Sequence, residues 1–200
     1  MNTKIKICGL SRLEDIAAVN EARPDYIGFV FAEKSRRKVV AAEAADLRVQ
    51  LAKGIIPVGV FVNAPIDEIA NLYKTGTIEV AQLHGGEDEE YIENLRQATA
   101  AIKIIKAFQI DTVIDIAKAA ASSADYVLLD HGTGGTGKVF NWEFVGNFRE
   151  ITEKPFFLAG GIDEANIKDA LALEPYCIDV SSGAETDGVK DGDKIKSLVR

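Results

Sequence analysis

The segment YVLLDHGTGGTGKV, residues 126–139, places a glycine-rich loop directly after a short apolar strand. Gly132 to Lys138 has the spacing of a Walker A loop, in which a lysine and backbone amides hold nucleotide phosphates. That motif continues with Ser or Thr, whose hydroxyl coordinates Mg²⁺, whereas this chain has Val139. The sequence therefore argues against a P-loop. Asp130, at the carboxyl end of the strand, becomes the first candidate functional residue.

The same arrangement, a short apolar run followed by a segment of helical periodicity, recurs along the chain. Apolar runs predict eight strands, at Lys4–Ile7, Tyr26–Val30, Ile56–Val62, Val80–Gln82, Lys103–Ala107, Tyr126–Leu129, Phe156–Ala159 and Ile178–Val180. Helices are predicted at Arg12–Ala22, Ala41–Leu51, Ile66–Tyr73, Glu87–Gln97, Asp111–Ala120, Asp163–Leu173 and Lys190–Val199. Such alternation favours a parallel sheet, and without a linker it predicts one α/β domain over residues 1–200, a (β/α)8 TIM barrel. A doubly wound open sheet is the structural alternative.

Composition narrows the class of protein. The 200 residues are 47% hydrophobic, and the net charge of −8 disfavours binding to nucleic acid or anionic membranes, which relies on Lys and Arg. No apolar run approaches the roughly 20 residues that span a bilayer, and the N-terminus lacks the apolar region of a signal peptide. We therefore expect a cytoplasmic protein. Its two cysteines match neither a disulfide framework nor a zinc motif. The oligomeric state is left open, and a monomer is compatible with the sequence.

In a barrel of this kind, functional groups lie at the carboxyl ends of the strands, where the βα loops share one face. Nearly every predicted strand end carries polar or glycine residues, whereas the strand interiors are interpreted as Val, Ile, Leu and Phe. The last two loops predict a phosphate site, because glycines let backbone amides approach an anion and serines add hydroxyls. Its residues are Gly160, Gly161, Ser181, Ser182 and Gly183. For one Gly-Gly pair alone, a tight turn would be the simpler explanation.

Cys8 ends the first strand and is expected to face Asp130 across the barrel mouth. A lone cysteine is usually a packing residue. In this setting, however, a thiol and a carboxyl group can divide proton transfer between them. Cys177 precedes the last predicted strand, lacks that setting and is assigned to packing.

Two further positions predict contacts with a substrate. His84 is a candidate base because imidazole titrates near neutrality, but without a clear partner we assign it to substrate positioning. Arg36 and Arg37 follow the second strand, where a charge pair is commonly solvated. An arginine above the mouth can instead hold a carboxylate by two parallel hydrogen bonds, and we expect one of the two to point inward.

A series of motifs matches one known family in order. They are KICGL, GFVF followed by SRR, VGVFVN, AQLHG, LLD followed by GGTGKVFNW, LAGGI and IDVSSGAE. Together they resemble the phosphoribosylanthranilate isomerases of tryptophan biosynthesis, from Lys6 to the GVKDGDKI segment near the end of the chain. The resemblance implies a single barrel that converts phosphoribosylanthranilate to carboxyphenylamino-deoxyribulose phosphate by an Amadori rearrangement, without a metal or organic cofactor.

The resemblance also implies roles for single residues. Cys8 is then the general base, Asp130 the general acid and Arg37 the residue that holds the anthranilate carboxylate, while the phosphate binds at the last two loops. The glycines after Asp130 would let that loop fold over the substrate. The chain has Asn141 where Asp is common in the family, and both residue types cap a helix comparably well. It also has two candidate arginines where many members have one.

Two alternatives stay open at this point, a related enzyme and a binding module from another functional class. Another barrel enzyme acting on a phosphorylated sugar, such as a pentulose-phosphate epimerase, would share the phosphate loops. It would be expected to carry paired aspartates or a metal-binding histidine set, and the chain has 2 histidines. A non-catalytic phosphate- or nucleotide-binding module could use residues 130–138 instead.

Overall fold

The strands close into a parallel barrel in chain order. The computed structural model describes residues 3–99, 102–130 and 143–199. The strands are β1 (Lys4–Cys8), β2 (Tyr26–Val30), β3 (Ile56–Phe61), β4 (Val80–Leu83), β5 (Lys103–Gln109), β6 (Tyr126–Asp130), β7 (Phe156–Leu158) and β8 (Cys177–Val180). Because β1 pairs with both β2 and β8, the sheet has no free edge. The barrel prediction is confirmed, and the open-sheet alternative is wrong.

Eight helices follow the strands among the described residues: α1 (Leu13–Ala22), α2 (Ala41–Gln50), α3 (Ile66–Lys74), α4 (Glu89–Thr99), α5 (Val113–Ala121), α6 (Glu143–Ile151), α7 (Ile167–Ala172) and α8 (Gly192–Val199). The starts of α1, α2 and α5 have a common cause. Asp15, Glu43 and Asp115 each accept a hydrogen bond from a backbone N–H just before the first turn. None of the described helices has the length and apolar character needed to cross a membrane.

The segment after β8 differs from the prediction. A 3₁₀ turn (Ser182–Ala184) leads into a small antiparallel hairpin of β9 (Glu185–Thr186) and β10 (Val189–Lys190). The last helix therefore begins at Gly192 and not at Lys190, since Lys190 pairs with Glu185 in the hairpin.

Two other elements differ from the prediction. The helix α6 was not among the predicted helices, and β5 extends two residues beyond the predicted Ala107.

The barrel interior is apolar toward the amino-terminal ends of the strands. Side chains from several strands pack there, namely Tyr26, Val58, Val80, Ile105, Leu128, Phe157, Ala159 and Cys177. Cys177 is the first residue of β8 and fully buried, in agreement with its assignment to packing. This layer fills the barrel below the carboxyl ends of the strands, where ligands bind in this fold.

The expectation that strand interiors hold only Val, Ile, Leu and Phe is wrong. Four polar side chains are buried within the strands, Lys6, Gln82, Lys106 and Asp179. The ammonium groups are accommodated because each lies against a carboxylate: Lys6 against Asp179 at 2.8 Å, and Lys106 against Glu87 at 3.1 Å. Burial within these strands therefore does not require an apolar side chain.

Candidate active site

Cys8 occupies a small space that its neighbouring strand leaves open. It ends β1, is 7% exposed and pairs in register with Gly28 of β2. A Cβ atom added at Gly28 would lie 2.6 Å from the Cys8 sulfur, closer than side chains tolerate. The glycine therefore makes room for the thiol. Gly28 was not predicted as a functional residue, although it lies in the GFVF motif.

The two arginines after β2 lie in different positions. The Arg37 side chain is 22% exposed and that of Arg36 is 59% exposed. Arg37 crosses the end of β1, where a Cβ atom at Gly9 would be 2.3 Å from its Cδ atom, and Gly9 has φ +87°. Of the two arginines, Arg37 is thus the one whose side chain lies over the end of β1.

Glu185 was missed by the sequence reasoning and lies at the centre of a charged cluster. Its carboxylate accepts hydrogen bonds from Arg37 Nε at 2.5 Å and Nη2 at 2.9 Å, from Arg36 at 2.6 Å and from Lys190 at 2.5 Å. Burial alone would raise the pKa of Glu185, but the hydrogen bonds from Arg37 and Lys190 lower that pKa to about 2. Three cations surround one carboxylate, which leaves an excess of positive charge at this side of the mouth.

Lys190 links this cluster to the loop after β8. Its ammonium also donates to the carbonyl oxygen of Ser181 at 3.0 Å. The Ser181 hydroxyl donates in turn to the carbonyl oxygen of Cys8 at 3.2 Å. The β8 loop and the end of β1 are thus joined by hydrogen bonds. The Ser181 hydroxyl proton is already engaged by the protein, so an anion in this loop would depend more on backbone amides.

The two glycine-containing loops predicted to bind phosphate lie against each other. Gly160 and Gly161 have φ values of +102° and +67°, which side-chain-bearing residues rarely adopt. A Cβ atom at Gly183 would be 2.0 Å from the carbonyl oxygen of Ile162, so the β8 loop approaches the β7 loop through its backbone. Ser182 is exposed at the start of the 3₁₀ turn. The structure brings the predicted phosphate residues together.

Asp130 and His84 are neighbours at the ends of β6 and β4. His84 Nε2 lies 3.6 Å from Asp130 Oδ2. On the other side of the ring, the Gln82 amide nitrogen lies 3.2 Å from His84 Nδ1. With the amide donating to Nδ1, the proton of the neutral imidazole is on Nε2, on the side of Asp130. His84 therefore has two polar neighbours that the sequence did not reveal, and it lies beside the candidate acid.

A buried lysine holds the loop that follows His84. Lys106 donates to the carbonyl oxygen of Gly85 at 2.8 Å and to Glu87 at 3.1 Å. Glu87 also accepts the backbone N–H groups of Asn63 at 2.7 Å and Gly85 at 2.8 Å. The loops after β3 and β4 are consequently tied to β5. Lys106 lies within the predicted strand Lys103–Ala107 and was not predicted as a functional residue, and the structure assigns it this supporting role.

Part of the predicted site lies outside the described residues. This applies to residues 131–142, which include the glycines of GGTG, Lys138 and the Asn141 departure. Within the described ranges, no group of three or more His, Cys, Asp or Glu side chains could hold a metal ion.

Comparison with known proteins agrees with the motifs and with this geometry. The model of a family described as N-(5'phosphoribosyl)anthranilate (PRA) isomerase matches residues 5–200. The N-(5'-phosphoribosyl)anthranilate isomerase of Endomicrobium trichonymphae is 47% identical over 202 residues, which cover 98% of this chain and 96% of the relative.

Solved structures give the same result. The phosphoribosyl anthranilate isomerase of Thermus thermophilus has a TM-score of 0.88 at 33% identity, covering 98% of this chain and 96% of its own. A second phosphoribosyl anthranilate isomerase, solved in complex with reduced 1-(o-carboxyphenylamino)-1-deoxyribulose 5-phosphate, has a TM-score of 0.85 at 31% identity and the same coverage of both chains. With its family model, relatives and barrel in agreement, the chain belongs to the N-(5'-phosphoribosyl)anthranilate isomerase family.

Proposed function

We propose that this chain converts N-(5'-phosphoribosyl)anthranilate to 1-(2-carboxyphenylamino)-1-deoxyribulose 5-phosphate in tryptophan biosynthesis, with Cys8 as general base and Asp130 as general acid. The observation that carries these roles is their placement. Cys8 and Asp130 are the last residues of β1 and β6 in one closed barrel, so both lie at its open, carboxyl-terminal face. An acid and a base at separate points of one mouth can serve two atoms of a single substrate.

In the first step, Asp130 delivers its proton to the ring oxygen of the ribose. The bond between C1 and that oxygen breaks, and the nitrogen lone pair forms a C=N⁺ bond at C1. His84 lies beside the carboxyl group, with its Nε2 atom 3.6 Å from Asp130 Oδ2. We assign His84 to positioning the acid and the substrate.

In the second step, Cys8 as thiolate removes the proton from the neighbouring sugar carbon, C2. The electrons of that C–H bond form a C1=C2 bond, and the C=N⁺ electrons return to nitrogen. The enolamine then tautomerises to the ketone of the product. Cys8 ends the step as a thiol, so a proton must leave it before the next turnover.

The proposed substrate has anions at both ends, and the site has complementary groups for each. The phosphate is assigned to Gly160 and Gly161, which have positive φ, and to the loop Ser181–Gly183, in which the Gly183 backbone approaches the β7 loop. The anthranilate carboxylate is assigned to Arg37. The excess positive charge around Glu185 favours a carboxylate there, and the two hydrogen bonds to Glu185 hold the guanidinium in place.

The test follows the fluorescence of phosphoribosylanthranilate after adding purified protein with no added metal. Loss of the signal with formation of the carboxyphenylamino product, absent in Cys8→Ser and Asp130→Asn, supports the proposal. An unchanged signal with the folded wild-type protein contradicts it. A cytoplasmic location stays a prediction from the sequence, and light scattering of the purified protein determines the oligomeric state, which the sequence left open.

A further inference from the structure

A charged pair lies inside the barrel directly below the Cys8 thiol. The Lys6 side chain is 0% exposed, and its ammonium donates to Asp179 Oδ2 at 2.8 Å. Lys6 and Asp179 are register partners on β1 and β8. Because strand residues two apart share a face, Lys6 and Cys8 both point into the barrel. Lys6 and Cys8 are therefore neighbours on the inner face of β1.

This pair is poorly suited to a purely structural role. Burying two ions costs several kcal/mol per ion before their attraction is counted, and apolar side chains of similar volume often serve stability as well or better. Moreover, Asp179 Oδ1 is buried without a hydrogen-bond partner among the described residues. A bridge whose function was stability would be expected to satisfy both carboxylate oxygens. The pair therefore calls for a role beyond packing.

The charges around Cys8 come from four elements. They are Lys6 on β1, Asp179 on β8, Lys190 on β10 and Arg37 after β2, and Glu185 on β9 binds the last two. Arg36 also binds Glu185, so four cations face two carboxylates in this region and positive charge is in excess. A thiolate at Cys8 would reduce that excess, whereas a neutral thiol does not.

We propose that Lys6, held by Asp179, is a positioning residue that stabilises the thiolate form of Cys8. Burial keeps the pKa of the Cys8 thiol above its ordinary value, and Lys6 is the largest influence that opposes this rise. Burial alone would lower the pKa of Lys6, but Asp179 and Cys8 raise this pKa by more than burial lowers it. Lys6 therefore remains an ammonium at neutral pH. Lys6 does not exchange its proton; the thiolate takes the C2 proton of the substrate and becomes a thiol. Only this last step rests on the proposed function.

The experiment measures the ionisation of Cys8 in the enzyme without substrate. The rate of iodoacetamide alkylation is followed against pH, and mass spectrometry of the Cys8 peptide separates it from Cys177. The main variant is Lys6→Met with Asp179→Asn, which removes both charges, keeps the side-chain volumes and leaves no unpaired ion. We expect its alkylation midpoint to move up by about one pH unit or more.

Two further variants make the result specific. Lys4→Met is the matched control, since Lys4 lies on the same face of β1 but its ammonium contacts Tyr176 at the other end of the barrel; its midpoint should not change. Asp179→Asn alone removes an anion and leaves the cation, so its midpoint should move down. A purely structural pair would lower the stability in both cases without moving the midpoint in opposite directions.

The proposal is overturned if the folded double variant titrates like the wild type, or if Asp179→Asn alone leaves the midpoint unchanged or raises it. Should the double variant not fold, the single Asp179→Asn variant decides by the direction of its shift. The proposed function is tested separately by the turnover of Cys8→Ser. Either idea can therefore fail while the other stands.

Discussion

The guanidinium of Arg37 binds the carboxylate of Glu185 through two parallel hydrogen bonds, from Nε to Oε1 and from Nη2 to Oε2. The two residues are 148 positions apart and meet because closure of the barrel brings the β2 loop to the hairpin after β8. Two parallel bonds fix the plane of the guanidinium as well as its position. The carboxylate-binding group that we assign to the substrate is thus itself held by a carboxylate.

Removing the Glu185 carboxylate should weaken the fold in a pH-dependent way. The pKa of Glu185 is about 2, below the ordinary value, so its ionised form stabilises the fold above about pH 4.3 and less as the pH falls toward 2. We expect Glu185→Gln to lower the free energy of unfolding by about 1–3 kcal/mol at pH 7. The difference should shrink at pH 3 in urea titrations. Glu33→Gln, at an exposed ion pair with Lys38, is the control, and an equal loss there would contradict the argument.

Cys8→Ser should fold normally and lose turnover by about 100-fold or more, because a serine hydroxyl, unlike a thiol, does not ionise near neutral pH to give the anionic base. The measurement is kcat by the fluorescence assay, together with a thermal unfolding scan. Cys177→Ser is the matched control. Since Cys177 packs in the apolar layer of the barrel, that change should lower stability more than turnover. Near wild-type kcat in Cys8→Ser would remove Cys8 from the mechanism.

Gly28→Ala tests whether the position of the thiol matters. The added methyl group would lie 2.6 Å from the sulfur, so the thiol must move. A displacement of about 1 Å at a reacting group can lower kcat on the order of 100-fold. Gly146→Ala is the control, because a Cβ atom there meets nothing within 4 Å and alanine suits helix α6. A wild-type kcat in Gly28→Ala would show that the space left by Gly28 is not needed for catalysis.

Arg37→Ala should raise KM for phosphoribosylanthranilate by about 10- to 100-fold, since it removes charge-assisted hydrogen bonds to the carboxylate. Arg36→Ala should change KM by no more than about threefold, because its side chain is largely exposed. Steady-state kinetics of both variants make the comparison. The opposite order would transfer the role to Arg36.

Asp130→Asn keeps the size of the side chain but cannot deliver a proton, so kcat should collapse while a product analogue still binds. Turnover and isothermal titration with the reduced product analogue give the two measurements. Loss of both would indicate that Asp130 is needed for binding and not for proton transfer alone.

The arrangement of strands and helices was predictable because it depends on local patterns. Runs such as Tyr126–Leu129 are too apolar to be exposed, and acidic residues such as Asp15 mark the starts of helices. The hairpin Glu185–Lys190 escaped prediction because each of its strands has two residues, too few for any periodicity. The start of the last helix was misplaced for the same reason.

The sequence by itself determined the barrel and its candidate acid, base and phosphate residues, since in a parallel barrel every strand end reaches the same face. It did not determine the partners of the buried charges. Lys6 and Asp179 are 173 positions apart, and no local pattern distinguishes a lysine paired inside the barrel from one in solvent. Only closure of β1 against β8 brings that pair below Cys8 and places Glu185 beside Arg37. Those contacts belong to the tertiary structure because their energy depends on burial, which arises only when the barrel closes.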